Sequence, residues 1–164
     1  MTTTTNDIYQ SLSPASRVWI YQANTTLNDA QTTAINSHLQ QFARQWTAHN
    51  QALKAFAAVF HNRYIVLMVD ETQAGASGCS IDKSVHFIQA LEREYNIQLF
   101  DRMTFTYRDN NGIQAASREA FAVKYAQGTI NDDTIVFDNL VKTKAEFESS
   151  WEKKLSESWH KRMV

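Results

Sequence analysis

The chain predicts an α+β protein: a ferredoxin-like (βαββαβ) core followed by an additional helix, a strand and an amphipathic C-terminal helix. Three observations carry that prediction. Runs rich in β-branched and aromatic residues alternate with segments whose apolar residues recur every three or four positions. Two strand-like runs are separated by only His61-Asn62-Arg63, a hairpin spacing. Through residue 108 the order reads strand, helix, strand, strand, helix, strand, the split β-α-β arrangement.

Ser16 to Ala23 (SRVWIYQA) sets Val18 and Ile20 on one side and Trp19 and Tyr21 on the other, as a strand does. Asn28 and Gln31 make a capping-box spacing that opens a helix. Ile35, Leu39, Phe42 and Trp46 form its buried stripe, with His38, Gln41, Gln45 and His49 on the wet face. Leu53 to Phe60 and Tyr64 to Asp70 are the hairpin arms; alanine propensity alone would also allow the first to be helical. The second, YIVLMV, is apolar on both sides and reads as a central strand. A second helix starts near Ile81, with the stripe Ile81, Val85, Ile88, Leu91 and Tyr95.

Met103 to Arg108 alternates as a strand, and Asn111-Gly112 is a hairpin-turn signal. Ser117 and Gly128 bound a short third helix as cap and left-handed stop, although Phe121, Val123 and Tyr125 also alternate as a strand would. Thr134 to Val141 is a strand. Thr143 and Glu146 form a T-x-x-E capping box, and Phe147, Trp151, Leu155 and Trp159 follow at four-residue steps, predicting the amphipathic terminal helix.

The 164 residues carry no linker-like composition shift, so one domain over 1–164 is expected, with 1–15 a flexible N-terminal segment and Thr2 to Thr5 a frayed tail. Sixteen basic against seventeen acidic residues leave a net charge of −1, which makes nucleic acid an unfavoured partner. A single cysteine fits a reducing, cytoplasmic setting, and the start has neither the basic nor the apolar region of a secretory signal. No apolar run approaches the ~20 residues needed to span a bilayer, so no membrane partner is expected.

The expected core has a functional corollary. Its first and third strands are expected to lie side by side and parallel, so that their C-terminal ends and the two following helix N-termini open on one rim, formed by residues 22–29 and 70–82. The ligand-binding candidates there are Gln22, Asn24, Asn28, Asp70, Glu71, Ser77, Gly78, Cys79, Ser80 and Asp82. Converging helix dipoles and free N–H groups suit a small anionic ligand; a protein partner is the other occupant. Trp19, Tyr21, Phe105 and Tyr107 add a second apolar surface to the sheet, to be covered by the remaining elements or by a copy in a homo-oligomer.

ETQAGASGCSID invites sharper readings. A P-loop needs G-x-x-x-x-G-K-[ST], and glycines at 75, 78, 112 and 128 provide no such pair. Gly75-Ala76-Ser77-Gly78 matches the GXXG of KH domains only in spelling, since it follows a strand and carries Asp70 and Glu71 rather than basic residues. Cys79 is the one catalytic candidate, as a thiolate near a helix N-terminus, but neither His61 nor His86 is placed to activate it. Against it stands the plain reading: Ser80 or Asp82 caps the helix, the glycines allow a tight turn, and Cys79 is a small buried hydrophobe. Asp70 and Glu71 at a strand end could hold a metal or act as acid and base, but paired acidic residues entering a loop are more often solvated or cap a neighbouring helix. The five histidines show no ligand spacing, so no metal and no cofactor is expected.

RVWIYQAN, VDETQAGASGCSIDKSVHFIQALE, LFDRMTFTYRD and TIVFDNLVKTKAEFESSW together resemble a family of small uncharacterised bacterial proteins, chiefly from Bacteroidetes, often labelled "ABC transporter ATPase". The resemblance spans nearly the whole chain but implies no site residues, and the label does not fit: Walker A is absent, and ASGCS lacks the second glycine and the glutamine of an LSGGQ-type signature. The chain therefore reads as a binding module at the 22–29 and 70–82 rim, leaning away from an enzyme; the alternative is a thiol-dependent enzyme using Cys79.

Overall fold

A computed structural model describes residues 5–164, and the chain divides into two compact units. One comprises residues through Phe100 with Lys142–Ala145, the other Asp101–Val141 with Glu146–Val164. Composition marks neither crossing. The structure is α+β, as expected.

The first unit runs α1 (Thr5–Ser11), β1 (Arg17–Gln22), α2 (Asp29–Gln45), the two-residue strands β2 (Thr47–Ala48) and β3 (Gln51–Ala52), β4 (Lys54–Phe60), β5 (Tyr64–Asp70) and α3 (Gly78–Tyr95). The sheet order is β1-β5-β4, antiparallel throughout. β5 is buried along its whole length, as its unbroken apolar run requires of a central strand. Ile35 and Leu39 of α2 and Ile88 and Leu91 of α3 share one core with Ala55, Ala57, Ile65, Leu67 and Val69, so both helices cover the same face. Trp19 and Tyr21 pack against that same core; they do not form the separate second surface expected of them with Phe105 and Tyr107.

Two parts of the expected βαββαβ core are corrected. First, β1 and β5 are neighbours but antiparallel, with Arg17 opposite Val69 and Gln22 opposite Tyr64. A helical crossover joins β1 to β4 and makes those two parallel; β5, tied to β4 by a hairpin and lying between them, must oppose both. Second, the segment 104–109 is not the fourth strand of this sheet. The outer edge of β1 instead receives chain at its two ends, where Val18 N–H donates to Lys142 O and Asn24 N–H to Gln98 O, both at 3.0 Å.

Local signals set the helix starts. Asn28 and Gln31 form the capping box of α2. α3 begins at Gly78, three residues before Ile81, because Ser77 and Ser80 cap each other. The helix consequently buries Ser80, Ser84, Ile88 and Leu91, and the Trp46 indole donates to Ser80 O at 2.8 Å. α2 stops at Gln45, and His49, expected on its wet face, sits in the β2–β3 turn at φ 51°. Within the segment expected to be flexible, Thr5–Ser11 is helical. Lys144 Nζ donates to Tyr9 O and Leu12 O at its C-terminal end, at 2.9 and 3.0 Å, a cation placed where the helix dipole favours it. Thr2 to Thr4 of the threonine run lie outside the described residues.

The second unit contains β6 (Thr104–Asp109), β7 (Gly112–Ser117), α4 (Arg118–Ala126), β8 (Ile135–Phe137), most of α5 (Lys144–Ser150), β9 (Glu152–Lys154) and two 3₁₀ turns at Leu155–Glu157 and Trp159–Met163. Its sheet order is β7-β6-β8-β9. The turn signal at Asn111-Gly112 does close a hairpin, with Gly112 at φ 113°. Its return strand β7 carried no alternation signal, because GIQAAS is short of large apolar residues. Phe105, Tyr107, Phe121, Val136 and Leu155 form this unit's core.

α4 resolves the helix–strand ambiguity at 117–128. Ser117 Oγ accepts from Ala120 N–H, and Gly128 holds φ 77° past the helix end. Ser117→Ala is expected to cost about 1 kcal/mol, measurable by urea denaturation.

The amphipathic terminal helix is not formed. α5 ends at Ser150, and 152–154 pair with 135–137 as β9. Trp151 and Leu155 are buried, as the stripe required, but from extended and 3₁₀ backbone. The edge of β8 captures the chain: Asp138 N–H donates to Trp151 O at 2.7 Å, and Leu155 N–H to Thr134 O at 2.8 Å. Tertiary pairing thus overrides the four-residue periodicity. The strand read over Thr134 to Val141 shortens to Ile135–Phe137, where Asp138 turns the chain through a bond from Leu140 N–H to its own carboxylate.

Candidate functional site

The antiparallel β1–β5 pair sets the two expected halves of the rim at opposite ends of the sheet. Residues 22–29 leave β1 beside the Tyr64 end of β5, whereas residues 70–82 leave β5 beside Arg17. The convergence of two helix N-termini on one anion is therefore removed, and each half stands alone.

At the 70–82 end the polar groups are engaged internally. Asp70 accepts from Ser13 N–H at 2.9 Å and from the Thr72 amide and hydroxyl at 3.0 and 2.7 Å, with Lys54 Nζ 3.6 Å away. The Ser13 amide, opposed by burial and aided by Thr72 and Lys54, lowers the Asp70 carboxyl to about 2. Glu71 pairs with Arg17 at 3.6 Å and accepts from Ala76 N–H at 2.9 Å. A Cβ on Gly75 would sit 2.9 Å from Glu71 Oε2, which the flexible glutamate can relieve, while Gly78 faces open space. Ser77 and Ser80 are spent on capping, and Asp82 is exposed. Two fixed carboxylates, Asp70 and Glu71, make this end unsuited to an anion.

Cys79 is the second residue of α3 and is exposed, not the small buried hydrophobe expected. The helix starts early enough to place it in the first turn, one position away from the buried Ser80. His86 lies seven residues further along the same helix, about 10 Å of rise. Among the described residues no base is hydrogen-bonded to the thiol.

The 22–29 end differs because of a residue that the loop reading of His61-Asn62-Arg63 passed over. Gln22 is buried, Asn24 Oδ1 accepts from Gln98 N–H at 2.8 Å, and Asn28 caps α2. Inside this loop lies Arg63, 6% exposed. Its Nε donates to Ala23 O at 3.2 Å, Nη1 to Thr26 Oγ1 at 3.3 Å and Nη2 to Asn24 O at 3.4 Å. No carboxylate among the described residues pairs with it. A guanidinium has five N–H donors, so these three bonds leave two without a protein acceptor. Burial lowers its pKa, the sign of a cation without a counter-charge. Polar loop composition usually signals a solvated turn, which is why Arg63 gave no functional signal in the sequence.

The second unit holds two polar clusters that were also not anticipated. Asp138 receives Lys153 Nζ at 2.8 Å and Trp159 Nε1 at 2.9 Å, close to the buried His160. Tyr125, Asp132 and Lys161 form an exposed triangle in which Lys161 donates to both partners. Both tie the C-terminal turns to the sheet and α4.

Among the described residues no group of three or more His, Cys, Asp and Glu side chains is placed to hold a metal ion, and no helix is long and apolar enough to cross a membrane. In comparisons with family models, curated proteins and solved structures the chain matches none, so the Bacteroidetes resemblance stands on its quoted segments alone.

Proposed function

We propose that the chain is a non-catalytic binding module, on an incomplete ferredoxin-like frame, that holds a small anion at the 22–29 end of its first sheet with Arg63 as the anchoring cation. The observation that carries this reading is the Arg63 guanidinium: buried, without a carboxylate partner, and with two donors unspent. A phosphate or carboxylate accepts such a fork in bidentate fashion. Asn24, Thr25 and Thr26 beside it are exposed and polar. Asp29, the first residue of α2, works against an anion at the helix end, so the reading depends on Arg63 and not on the dipole.

The test is an amide NMR titration with inorganic phosphate. Saturable shifts confined to residues 22–29 and 62–63, lost in Arg63→Met, are expected. Arg63→Met also gives up three hydrogen bonds and is expected to cost about 1–3 kcal/mol, so its fold is checked by the dispersion of the remaining amides. No saturable shift in the native protein would reduce Arg63 to a clasp on the 23–26 carbonyls. The rival reading, a thiol-dependent enzyme using Cys79, has only the exposure of the thiol in its favour; Cys79→Ser is expected to leave the phosphate response unchanged.

A further inference from the structure

We infer that β7 is a homodimerisation edge, through which two copies of this chain pair antiparallel along Gly112–Ser117. The inference is independent of the anion reading. It rests on a six-residue strand that ends its sheet and carries no charge.

The other edges are protected. Lys142 and Gln98 cap the two ends of the β1 edge. Asn36 Oδ1 of α2 accepts from Val59 N–H on the β4 edge. β9 is three residues long, and all three (Glu152, Lys153, Lys154) are charged. β7 has six residues, GIQAAS, with no charge and no proline. Its hairpin closes at Asp109–Gly112, and Arg118 N–H still bonds Met103 O. Gly112, Gln114 and Ala116 therefore turn their backbone toward β6, and Ile113, Ala115 and Ser117 turn theirs outward. No backbone bond from those three N–H groups to another part of the chain occurs among the described residues. Natural edges of this length are normally blunted by lysine, proline, a bulge or a covering element.

Self-complementarity selects a second copy as the occupant. Two antiparallel registers let outward groups meet over most of the strand. Centring on Gln114 would set Ser117, the last extended residue before α4, opposite Asn111 in the hairpin turn and leave its N–H without a strand partner. Centring on Ala115 avoids it: Ala115 meets its own equivalent, Ile113 meets Ser117, and Arg118 comes beside the hairpin end that carries Asp109. Gly112, Ala115 and Ser117 are exposed and small. The Ser117 carbonyl is already drawn into α4, but its N–H remains for Ile113.

Analytical ultracentrifugation tests the inference. The native chain is expected to sediment as a dimer, and Ala115→Lys, which sets two cations face to face, to weaken it at least about tenfold while the monomer keeps a native amide spectrum. In a Cys79→Ser background, Ala115→Cys is expected to cross-link on mild oxidation, since a hydrogen-bonded antiparallel pair holds its Cα atoms about 5.5 Å apart, within disulfide range. A native chain that stays monomeric at NMR concentrations would overturn the inference and leave the edge to a foreign strand. A dimer indifferent to Ala115→Lys would overturn it equally.

Discussion

Replacing Asp138 by alanine is expected to destabilise the protein by about 3 kcal/mol, at the lower end of the range for breaking a buried ion pair from one side. Asp138 is buried and its carboxylate is fully used: Lys153 Nζ and Trp159 Nε1 donate to it at 2.8 and 2.9 Å, and Leu140 N–H at 3.0 Å. Burial alone would raise its pKa, but the bonds from Lys153, Trp159 and Leu140 outweigh that and hold the carboxyl below its ordinary range. Alanine would leave Lys153 as an uncompensated, largely covered cation and orphan an indole N–H. Three segments meet at this one side chain: β9 through Lys153, the last 3₁₀ turn through Trp159, and the 138–141 turn through Leu140. The loss should therefore appear as faster hydrogen exchange across 151–163 as well as a lower urea midpoint. Adding Lys153→Met to Asp138→Ala should recover part of the loss, because the second change removes the orphaned charge. A cost below about 1 kcal/mol would mean that the pair is solvated and the C-terminal segment is held by its aromatic packing alone.

The same residue shows why some of the structure was legible in the sequence and some was not. Signals that act over three or four residues held: Asn28 with Gln31, Ser117 with Ala120, Gly128 past α4, and the apolar run of β5. Each is a contact that chain connectivity makes almost unavoidable. Strand direction is different in kind, because alternation is identical whichever way a neighbour runs. It was the crossover geometry, β1 to β4 through α2 with β5 between, that set β1 against β5 and dissolved the expected rim. Phe147, Trp151, Leu155 and Trp159 show the converse failure. Their spacing asks for a buried stripe, and three of the four are buried, but only Phe147 of that stripe is buried from a helix; pairing with β8 buries Trp151 and Leu155 from extended and 3₁₀ backbone. Arg63 and Asp138 escaped because a charge in a loop, or at a strand end, carries no mark of burial until the fold closes around it.

Stability is expected to fall by about 3 kcal/mol as pH drops from about 6.5 to about 4, and most of that slope is expected to be lost in His160→Phe. His160 is 1% exposed. It stacks on Trp159 with ring centroids 3.8 Å apart and meets Phe105 and Phe121 edge-on or tilted at 5.1 and 5.9 Å. Its Nδ1 lies 2.6 Å from Ser158 Oγ. Burial lowers the imidazole from 6.5 to about 4; Asp138 pulls the other way and Lys153 adds to the lowering. Because the folded-state pKa is depressed, the contribution is fully present above the unfolded value. It is lost as pH falls through that window, where only the unfolded chain takes up the proton. The Asp70 contribution, with its carboxyl at about 2, also lies in acid but is lost mainly below about pH 4, so the two can be separated. Urea denaturation at a series of pH values, native against His160→Phe, reads the difference directly. Parallel curves from pH 6.5 to 4 would show that the imidazole reaches water before the fold opens, and that the Trp159–His160 stack is not the seal that the packing around it indicates.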